Sequence, residues 1–320
     1  ELARFPSTIG DTSDGATVVQ GNRKYVYIFR GQSSPSFWRY SVNDDSWTSL
    51  NSYPTTGSVS GGINMAWDGA NTIYAMVNGS GEFKKYDLIS NTWSSLANQS
   101  GYGNVAQSMV YMNGVLYAMR LNYSSNVYSL LSYNPSTTVW TALNAQASGA
   151  SEYDFPPPLA ADGNRYLYTV FTNEIRMQPQ RYDVISNSWN TNALLPGTTD
   201  AGESHQIPVY DGAQSLYYTG GIDSTSTDRV YKYDLSTNTA TRIGSQINTR
   251  SGVSGVYYNG SPYFLPYYST TTDFQRYDLS TNNFIPLSSL PTTTSAGAAI
   301  IDGGDGYLYL TVGGARTNFY

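Results

Sequence analysis

Apolar and polar residues alternate with a period of two along almost the whole chain, a pattern that predicts β-strands. In the first stretch it predicts strands at 16–19, 25–29, 37–40 and 47–50. Turn residues separate these strands, and no segment has helical periodicity over more than a turn or two. The chain is therefore predicted to be all-β.

The same unit recurs seven times, with a period of about 43–51 residues. Each unit has a short turn that contains glycine, and these turns are Gln20-Gly21, Asp68-Gly69, Asn113-Gly114, Asp162-Gly163, Asp211-Gly212, Asn259-Gly260 and Asp302-Gly303. A tyrosine follows each turn in the next strand, at Tyr27, Tyr74, Tyr117, Tyr168, Tyr217, Tyr263 and Tyr309. Asx-Gly pairs suit type I′ hairpins, which need positive φ. Such a repeat predicts a radial array of four-stranded antiparallel sheets, a β-propeller.

A second hairpin joins a tyrosine to a residue seven positions later. The pairs are Tyr40/Trp47, Tyr86/Trp93, Tyr133/Trp140 and Tyr182/Trp189, then the degenerate Tyr233/Ala240 and Tyr277/Phe284. On these residues the chain resembles the kelch repeat, whose blades place Tyr on the third strand (c) and Trp on the fourth (d). The family's diglycine after the second strand (b) is kept at Gly220-Gly221 and Gly313-Gly314. The resemblance covers residues 1–320, which are expected to form a single propeller domain.

The seventh unit lacks a strand d within the C-terminal segment, which stops at Tyr320 at the predicted end of strand c. The N-terminal segment 2–6 matches the end of strand d in other units, such as 50–54. We therefore predict seven four-stranded blades, with residues 2–5 as strand d pairing antiparallel with residues 317–320. Such a closure would remove the two exposed edges of an open array.

Composition narrows the class of function. Charged residues are 12% of the chain, about half the usual ~25%, and the net charge is −6. Nucleic-acid binding is not expected because it needs a basic stripe, and no apolar run is long enough to span a membrane. Cysteine is absent. A polar, weakly charged surface suits an extracellular or cell-surface protein, and the lack of disulfides favours a prokaryotic, archaeal or viral source over an animal one.

Tyrosine is the most over-used residue, with 30 copies. Fourteen are assigned to the repeat, seven on strand b and seven on strand c including Tyr320, and are expected to pack between blades. Several others lie in predicted loops, where they would be able to bind a ligand. The candidates kept from this group are Tyr102, Tyr153, Tyr267 and Tyr268.

The kelch resemblance implies that ligands bind on the face made by the b–c and d–a loops. Polar anchors expected near this face are Arg30, Arg120 and Arg250 with the acids Glu152, Asp154 and Glu203. Ordinary loop salt bridges are the alternative reading of these charges. His205, the only histidine, lies two residues after Glu203 and is included as a binding candidate, although a structural role is favoured over acid–base catalysis.

No cofactor, metal site or catalytic residue is predicted. The related copper-radical oxidases, including galactose oxidase, hold copper with two His and two Tyr, one Tyr cross-linked to Cys. With one His and no Cys, this chain lacks that donor set. Sialidase-type boxes and calcium-loop patterns are absent as well. Sequons for N-glycosylation occur at Asn78, Asn98, Asn122 and Asn259.

The sequence thus predicts a non-catalytic binding or adhesion module, secreted or surface-displayed, that recognises a protein or a glycan through its loop face. An alternative is a structural subunit of a surface layer, an extracellular appendage or filament, or a virion that assembles with like subunits. A third and less favoured hypothesis is a hydrolase or lyase that uses carboxylates at the channel mouth.

Overall fold

The computed structural model describes residues 2–6, 17–21, 24–31, 34–57, 59, 62–77, 80–99, 106–122, 127–144, 158–173, 176–191, 208–220, 229–245, 250–268, 271–295, 298–314 and 316–320. These residues form antiparallel sheets arranged as a β-propeller, as the repeat predicts. The described part of the chain has no helix able to cross a bilayer.

Six sheets have four strands each, and we number them blades 1 to 6 in chain order. Blades 1 and 2 contain β1 (Thr17–Gly21), β2 (Tyr25–Gly31), β3 (Ser34–Ser41), β4 (Ser46–Ser49), β5 (Ile63–Trp67), β6 (Thr72–Val77), β7 (Phe83–Asp87) and β8 (Thr92–Ser95). Blades 3 and 4 contain β9 (Ala106–Met112), β10 (Val115–Asn122), β11 (Val127–Asn134), β12 (Val139–Ala142), β13 (Ala160–Ala161), β14 (Tyr166–Asn173), β15 (Arg176–Asp183) and β16 (Ser188–Thr191). Blades 5 and 6 contain β17 (Val209–Tyr210), β18 (Ser215–Gly220), β19 (Arg229–Asp234), β20 (Thr239–Ser245), β21 (Arg250–Tyr258), β22 (Ser261–Tyr268), β23 (Gln275–Asp278) and β24 (Asn283–Pro286). The remaining sheet, blade 7, pairs β25 (Ala299–Asp302) with β26 (Leu308–Thr311).

Burial falls from strand b to strand d within a blade. In β2 the run from Val26 to Phe29 is wholly buried, because neighbouring blades cover both faces of the strand. The outer strands β4, β8 and β12 share one pattern, in which only the tryptophan is partly buried. This gradient explains why strand b reads as a continuous apolar run while strand d is rich in Ser and Thr.

The a–b turns follow two designs. Asn113-Gly114 and Asn259-Gly260 have positive φ at both residues, as the type I′ prediction requires. At Asp68-Gly69, Asp162-Gly163 and Asp211-Gly212 only the glycine has positive φ, and at Asp302-Gly303 the positive φ falls on Gly304 instead. In all four turns the aspartate carboxylate accepts main-chain N–H bonds. Asp68, for example, accepts from the N–H groups of Ala70 at 2.7 Å and Thr72 at 3.0 Å. The uniform type I′ prediction is therefore wrong for the aspartates, because their side chains anchor a wider turn.

The strand-c tyrosines are scaffold residues, as predicted for six of the seven. Tyr40, Tyr86, Tyr133, Tyr182, Tyr233 and Tyr277 are each at most 1% exposed. Several hydroxyls donate to the side chain five positions later in the c–d turn, as Tyr40 does to Asp45 Oδ1 at 2.7 Å. That turn residue has positive φ, at Asp45 and at Asn91 for example, so Asx side chains suit it.

Each strand-d tryptophan links its blade to the preceding one. Trp93 Nε1 donates to Asn51 O at 2.8 Å, and the indoles of Trp140 and Trp189 make the same bond to Ala97 and Asn144. Blade 6 has Phe284 at this position, and there the Tyr277 hydroxyl donates to Ile243 O at 2.6 Å. In blade 6 the donor is therefore the tyrosine hydroxyl and not an indole nitrogen, and the hydrogen bond to the preceding blade is kept.

Seven buried clusters each join two neighbouring sheets. The cluster that contains Phe5, Val26 and Tyr309 joins blade 7 to blade 1. Trp47 Nε1 of blade 1 donates to Ala3 O at 2.8 Å, just as Trp93 Nε1 of blade 2 donates to Asn51 O. Ala3 is therefore the equivalent of Asn51 for the blade that precedes blade 1. Phe5 N donates to Thr317 O at 2.9 Å, as Tyr53 N does to Pro35 O. The two chain ends therefore meet at the position predicted for them.

The prediction of seven four-stranded blades is wrong: the described residues contain six, and blade 7 has a ladder of two strands. Its strand-c segment forms one isolated bridge, Thr311 to Phe319, and the Tyr320 N–H donates to Leu310 O. In blade 1 the equivalent bridge is Phe29 to Phe37. Tyr320 is thus equivalent to Trp38, two residues short of the repeat tyrosine, and its assignment as the seventh strand-c tyrosine is corrected.

Phe5→Ala should lower the free energy of unfolding by about 3–5 kcal/mol, because Phe5 is 2% exposed and stacks on Trp47 at 4.2 Å. Ile89→Ala, at a side chain that is 74% exposed, is the control and should change little. Denaturant unfolding of both variants measures the difference. Equal, small effects would show that the chain ends do not hold the ring.

Stability should fall above pH 10. Burial raises the pKa of Tyr86 and of Tyr182 to about 12, against about 10 in an unfolded chain. Between these values the unfolded state loses protons that the folded state keeps, so this stability is complete below pH 10 and is lost as pH rises through 12. Tyrosinate absorbance and circular dichroism, followed together, should show the buried tyrosines ionising as the sheet signal disappears. Ionisation of all 30 tyrosines near pH 10 with the sheet signal intact would contradict this.

Candidate functional site

Arg30 and Arg120 do not lie in b–c loops, and that part of the prediction is wrong. Arg30 is in β2, and Arg120 is in β10 with 5% of its surface exposed. The reason is that the b–c hairpins are tight: pairing runs out to Gly31 with Ser34 and to Asn122 with Val127. Arg120 is therefore part of the blade interior and not an anchor on the loop face.

The structure brings two other candidates together. Arg250 is the first residue of β21 and pairs across the hairpin with Tyr268, the last residue of β22. Tyr267 also lies in β22, so both tyrosines are strand residues and the loop prediction is corrected.

The remaining candidates are placed only in part. Tyr102, Glu152, Tyr153, Asp154, Glu203, His205 and the sequon at Asn78 lie outside the described residues. Asn98 is exposed and its Oδ1 accepts the Phe83 N–H at 3.2 Å, while Asn122 ends β10. Asn259 is exposed in an a–b turn. Use of these sequons stays a prediction.

A regular feature that the sequence reading missed lies opposite the strand-b tyrosines. In five blades the residue directly across on strand c is basic, and the pairs are Tyr27/Arg39, Tyr74/Lys85, Tyr168/Arg181, Tyr217/Lys232 and Tyr263/Arg276. The Arg39 guanidinium lies 4.4 Å from the ring centre of Tyr25, and Arg181 lies 4.5 Å from that of Tyr166. In these blades a long basic side chain occupies the face that is turned toward the next blade.

Blade 3 departs from this rule because Ser132 lies opposite Tyr117. There a groove of about 490 Å³ opens between blade 3 and blade 4. Its apolar lining comes from Val115, Tyr117, Val139 and Leu143 of blade 3 and Val184 of blade 4. Serine thus stands where five other blades have Arg or Lys, and in blades 1 and 4 the guanidinium at this position covers a tyrosine ring.

The lining of this groove, which we call the blade 3–4 groove, is uncharged. Its polar members are Ser132, Asn134, Thr137 and Thr141. Asn134 stands where four other blades have an aspartate, namely Asp87, Asp183, Asp234 and Asp278. Blade 3 therefore has neither the basic residue nor the aspartate that most other blades have at these two positions. Next to the groove, Val139 is 53% exposed and Ile185, beside Val184, is 73% exposed.

The signal for this groove was present in the sequence. The residue before the strand-c tyrosine reads Arg39, Lys85, Ser132, Arg181, Lys232 and Arg276, with one uncharged member. Neither its position on the face toward the next blade nor the cavity that follows could be read without the register of strands b and c.

Comparisons with known proteins agree with the kelch resemblance. No protein-family model matches the chain. "Kelch-like protein terF" of Aspergillus terreus (strain NIH 2624 / FGSC A1156) is 26% identical over 273 residues, 77% of this chain and 56% of that protein. The chain thus aligns with little more than half of this relative.

A solved structure shares the fold. It is a "novel fungal alcohol oxidase with catalytic diversity among the AA5 family, in complex with copper", with a TM-score of 0.72 and 12% identity over 98% of this chain and 72% of that one. At this identity the likeness concerns the fold alone. This chain has one histidine and no cysteine. Among its described residues, no three or more His, Cys, Asp or Glu side chains lie close enough together to hold a metal ion. These residues do not fit the copper donor set of the copper-radical oxidases.

Proposed function

We propose that the chain is a non-catalytic interaction module that binds a protein partner. The blade 3–4 groove carries the proposal, because it is a concave, largely apolar surface that the scaffold leaves unfilled. Exposed aliphatic side chains beside it, Val139 and Ile185, extend the apolar surface. The kelch-like relative supports the same class of function.

A protein partner is favoured over a glycan at this groove. Sugars stack on exposed aromatic faces, but the Tyr117 ring is only 7% exposed and is held within the blade 3–4 core cluster. The accessible part of the lining is aliphatic and hydroxylated. Glycan recognition by the loop face, through Tyr102 or Tyr153, stays a separate prediction.

The proposal includes display outside the cell, supported by the low share of charged residues and the lack of cysteine. Assembly with like subunits is a second candidate. It is favoured by Ile89 and Ile185, which are 74% and 73% exposed at equivalent c–d turns of blades 2 and 4. Two such turns would give one molecule two apolar contact points.

The test is capture of partners from extracts of the source organism, identification of the bound proteins, and calorimetric titration of each purified partner. We expect saturable binding of a purified protein to a chain that sediments as a monomer. A glycan array and sedimentation without any partner are run in parallel. Ordered polymers, or glycan binding with no protein partner, would contradict the proposal.

A further inference from the structure

We propose that the blade 3–4 groove takes one bulky uncharged side chain, aliphatic or aromatic, from an extended segment of the partner that lies along β12. This inference rests on the proposed function and specifies the chemistry of its partner. It follows from what fills the equivalent place elsewhere in the ring, from the charge of the lining, and from the edge on which the groove opens.

In blades 1 and 4 the chain covers the equivalent place with one basic side chain. In blade 1 the Arg39 side chain crosses the face of the blade to the Tyr25 ring, and in blade 4 Arg181 does the same to Tyr166. Blade 3 has Val115 in place of that ring and Ser132 in place of the cation. The groove therefore opens where blades 1 and 4 have a basic side chain over a ring, and its volume of about 490 Å³, within the ~300–1,000 Å³ of typical ligand pockets, is enough to admit a bulky side chain.

Charge decides which side chain fits. No acidic or basic residue is among the described residues that line the groove, and Asn134 replaces the acid that would pair with an incoming cation. A charged side chain entering here would lose hydration without gaining a counter-charge. An apolar side chain would instead bury Val115, Leu143 and Val184, while Ser132 and the threonines keep contact with water or with the backbone of the partner.

The edge strand gives the partner a way in. β12 pairs with β11 on one side and is the last strand of its sheet, and no other described strand pairs with its outer side, where an added strand would pair. The strands β4, β8, β12 and β16 read SWTS, TWSS, VWTA and SWNT, so β12 alone among these four has apolar residues at its first and last positions. An added strand projects alternate side chains to one face, which would turn one of them toward the groove.

The probe is a set of capped, soluble peptides of alternating Ser and Thr with Phe, Leu, Arg or Glu at the centre, titrated into the full chain with labelled methyl groups. The Phe and Leu peptides should shift the methyl signals of Val115, Val139 and Val184 in a saturable way. The signal of Ile89, exposed on blade 2, should not move. Arg and Glu peptides should bind at least about tenfold more weakly.

Two variants locate the site. Ser132→Arg restores the residue type of the other blades and should abolish the shifts while the unfolding midpoint is kept. Arg39→Ser in blade 1 is the matched control and should leave binding of the Phe peptide at blade 3 intact. Val139→Ser, which copies Ser46 of blade 1 at an exposed position, should weaken binding about tenfold and serves if Ser132→Arg does not fold.

Several outcomes would overturn the inference. These are equal binding of the Arg or Glu peptides, shifts that survive Ser132→Arg, no saturable shift at all, and Val139 signals that change with protein concentration because a second copy occupies the groove. If a captured protein partner binds wild type and Ser132→Arg equally, the interaction module stands and the groove inference falls. If wild type binds no protein, the proposed function itself falls.

Discussion

The structure depends on a contact between neighbouring sheets, and in blades 1 to 3 the Tyr and Trp of one blade enclose a phenylalanine of the sheet before it. In blade 2, Tyr86 and Trp93 pack around Phe37 of blade 1, with ring centres 5.0 and 5.3 Å away. Tyr133 and Trp140 hold Phe83 in the same way, at 4.9 and 5.0 Å. Because the indole also donates to the preceding blade, packing and hydrogen bonding act at one place. Each blade is thus fixed by its predecessor, and the ring needs a predecessor for blade 1.

The chain ends supply that predecessor. The ring centre of Phe319 lies 4.9 Å from that of Tyr40 and 5.0 Å from that of Trp47. Phe319 is therefore equivalent to Phe37 in the contact between blades 1 and 2. Phe5 stacks on Trp47 at 4.2 Å, where Tyr53 meets Trp93 in blade 2. Blade 7 lacks a full ladder, yet it provides the aromatic side chains that the contact requires. A sheet of two strands is enough to close the ring because the contact involves side chains and does not need a complete outer strand.

Much of this could be predicted from the sequence, since it is set by local spacing. The Asx-Gly turns, the strand-b tyrosines and the Tyr-x6-Trp hairpins lie where the pattern placed them, and residues 2–5 meet 317–320. The predicted turn at Gln20-Gly21 is wrong, because both residues belong to β1 and Gly21 pairs with Tyr25. The register of blade 7 could not be predicted, because Tyr320 looks like a repeat tyrosine and only the bridge from Thr311 to Phe319 shows that it is not. The predicted loop boundaries are wrong at Arg30 and Arg120, because strand pairing continues beyond the repeat pattern. Both residues therefore lie in strands and not in the loops of the predicted binding face.

The candidate site illustrates the same limit. Six of the eleven predicted binding residues lie outside the described residues, and the other five, Arg30, Arg120, Arg250, Tyr267 and Tyr268, belong to strands and not to the loops predicted for them. The groove arises instead where the repeat omits a residue, at Ser132. A missing side chain has no signal of its own in one sequence until its equivalents are aligned by strand register, because only then does an ordinary serine stand out against five basic residues.

Closure of the ring by the two chain ends is tested most directly by hydrogen exchange of the native chain. The amides to follow are those of Phe5 and Tyr320, which donate to Thr317 O and Leu310 O. If the chain ends close the ring as blade contacts do elsewhere, both amides should be as strongly protected as that of Tyr53, which donates to Pro35 O. Rapid exchange at Phe5 and Tyr320, with Tyr53 and the strands of blades 1 to 6 protected, would contradict it.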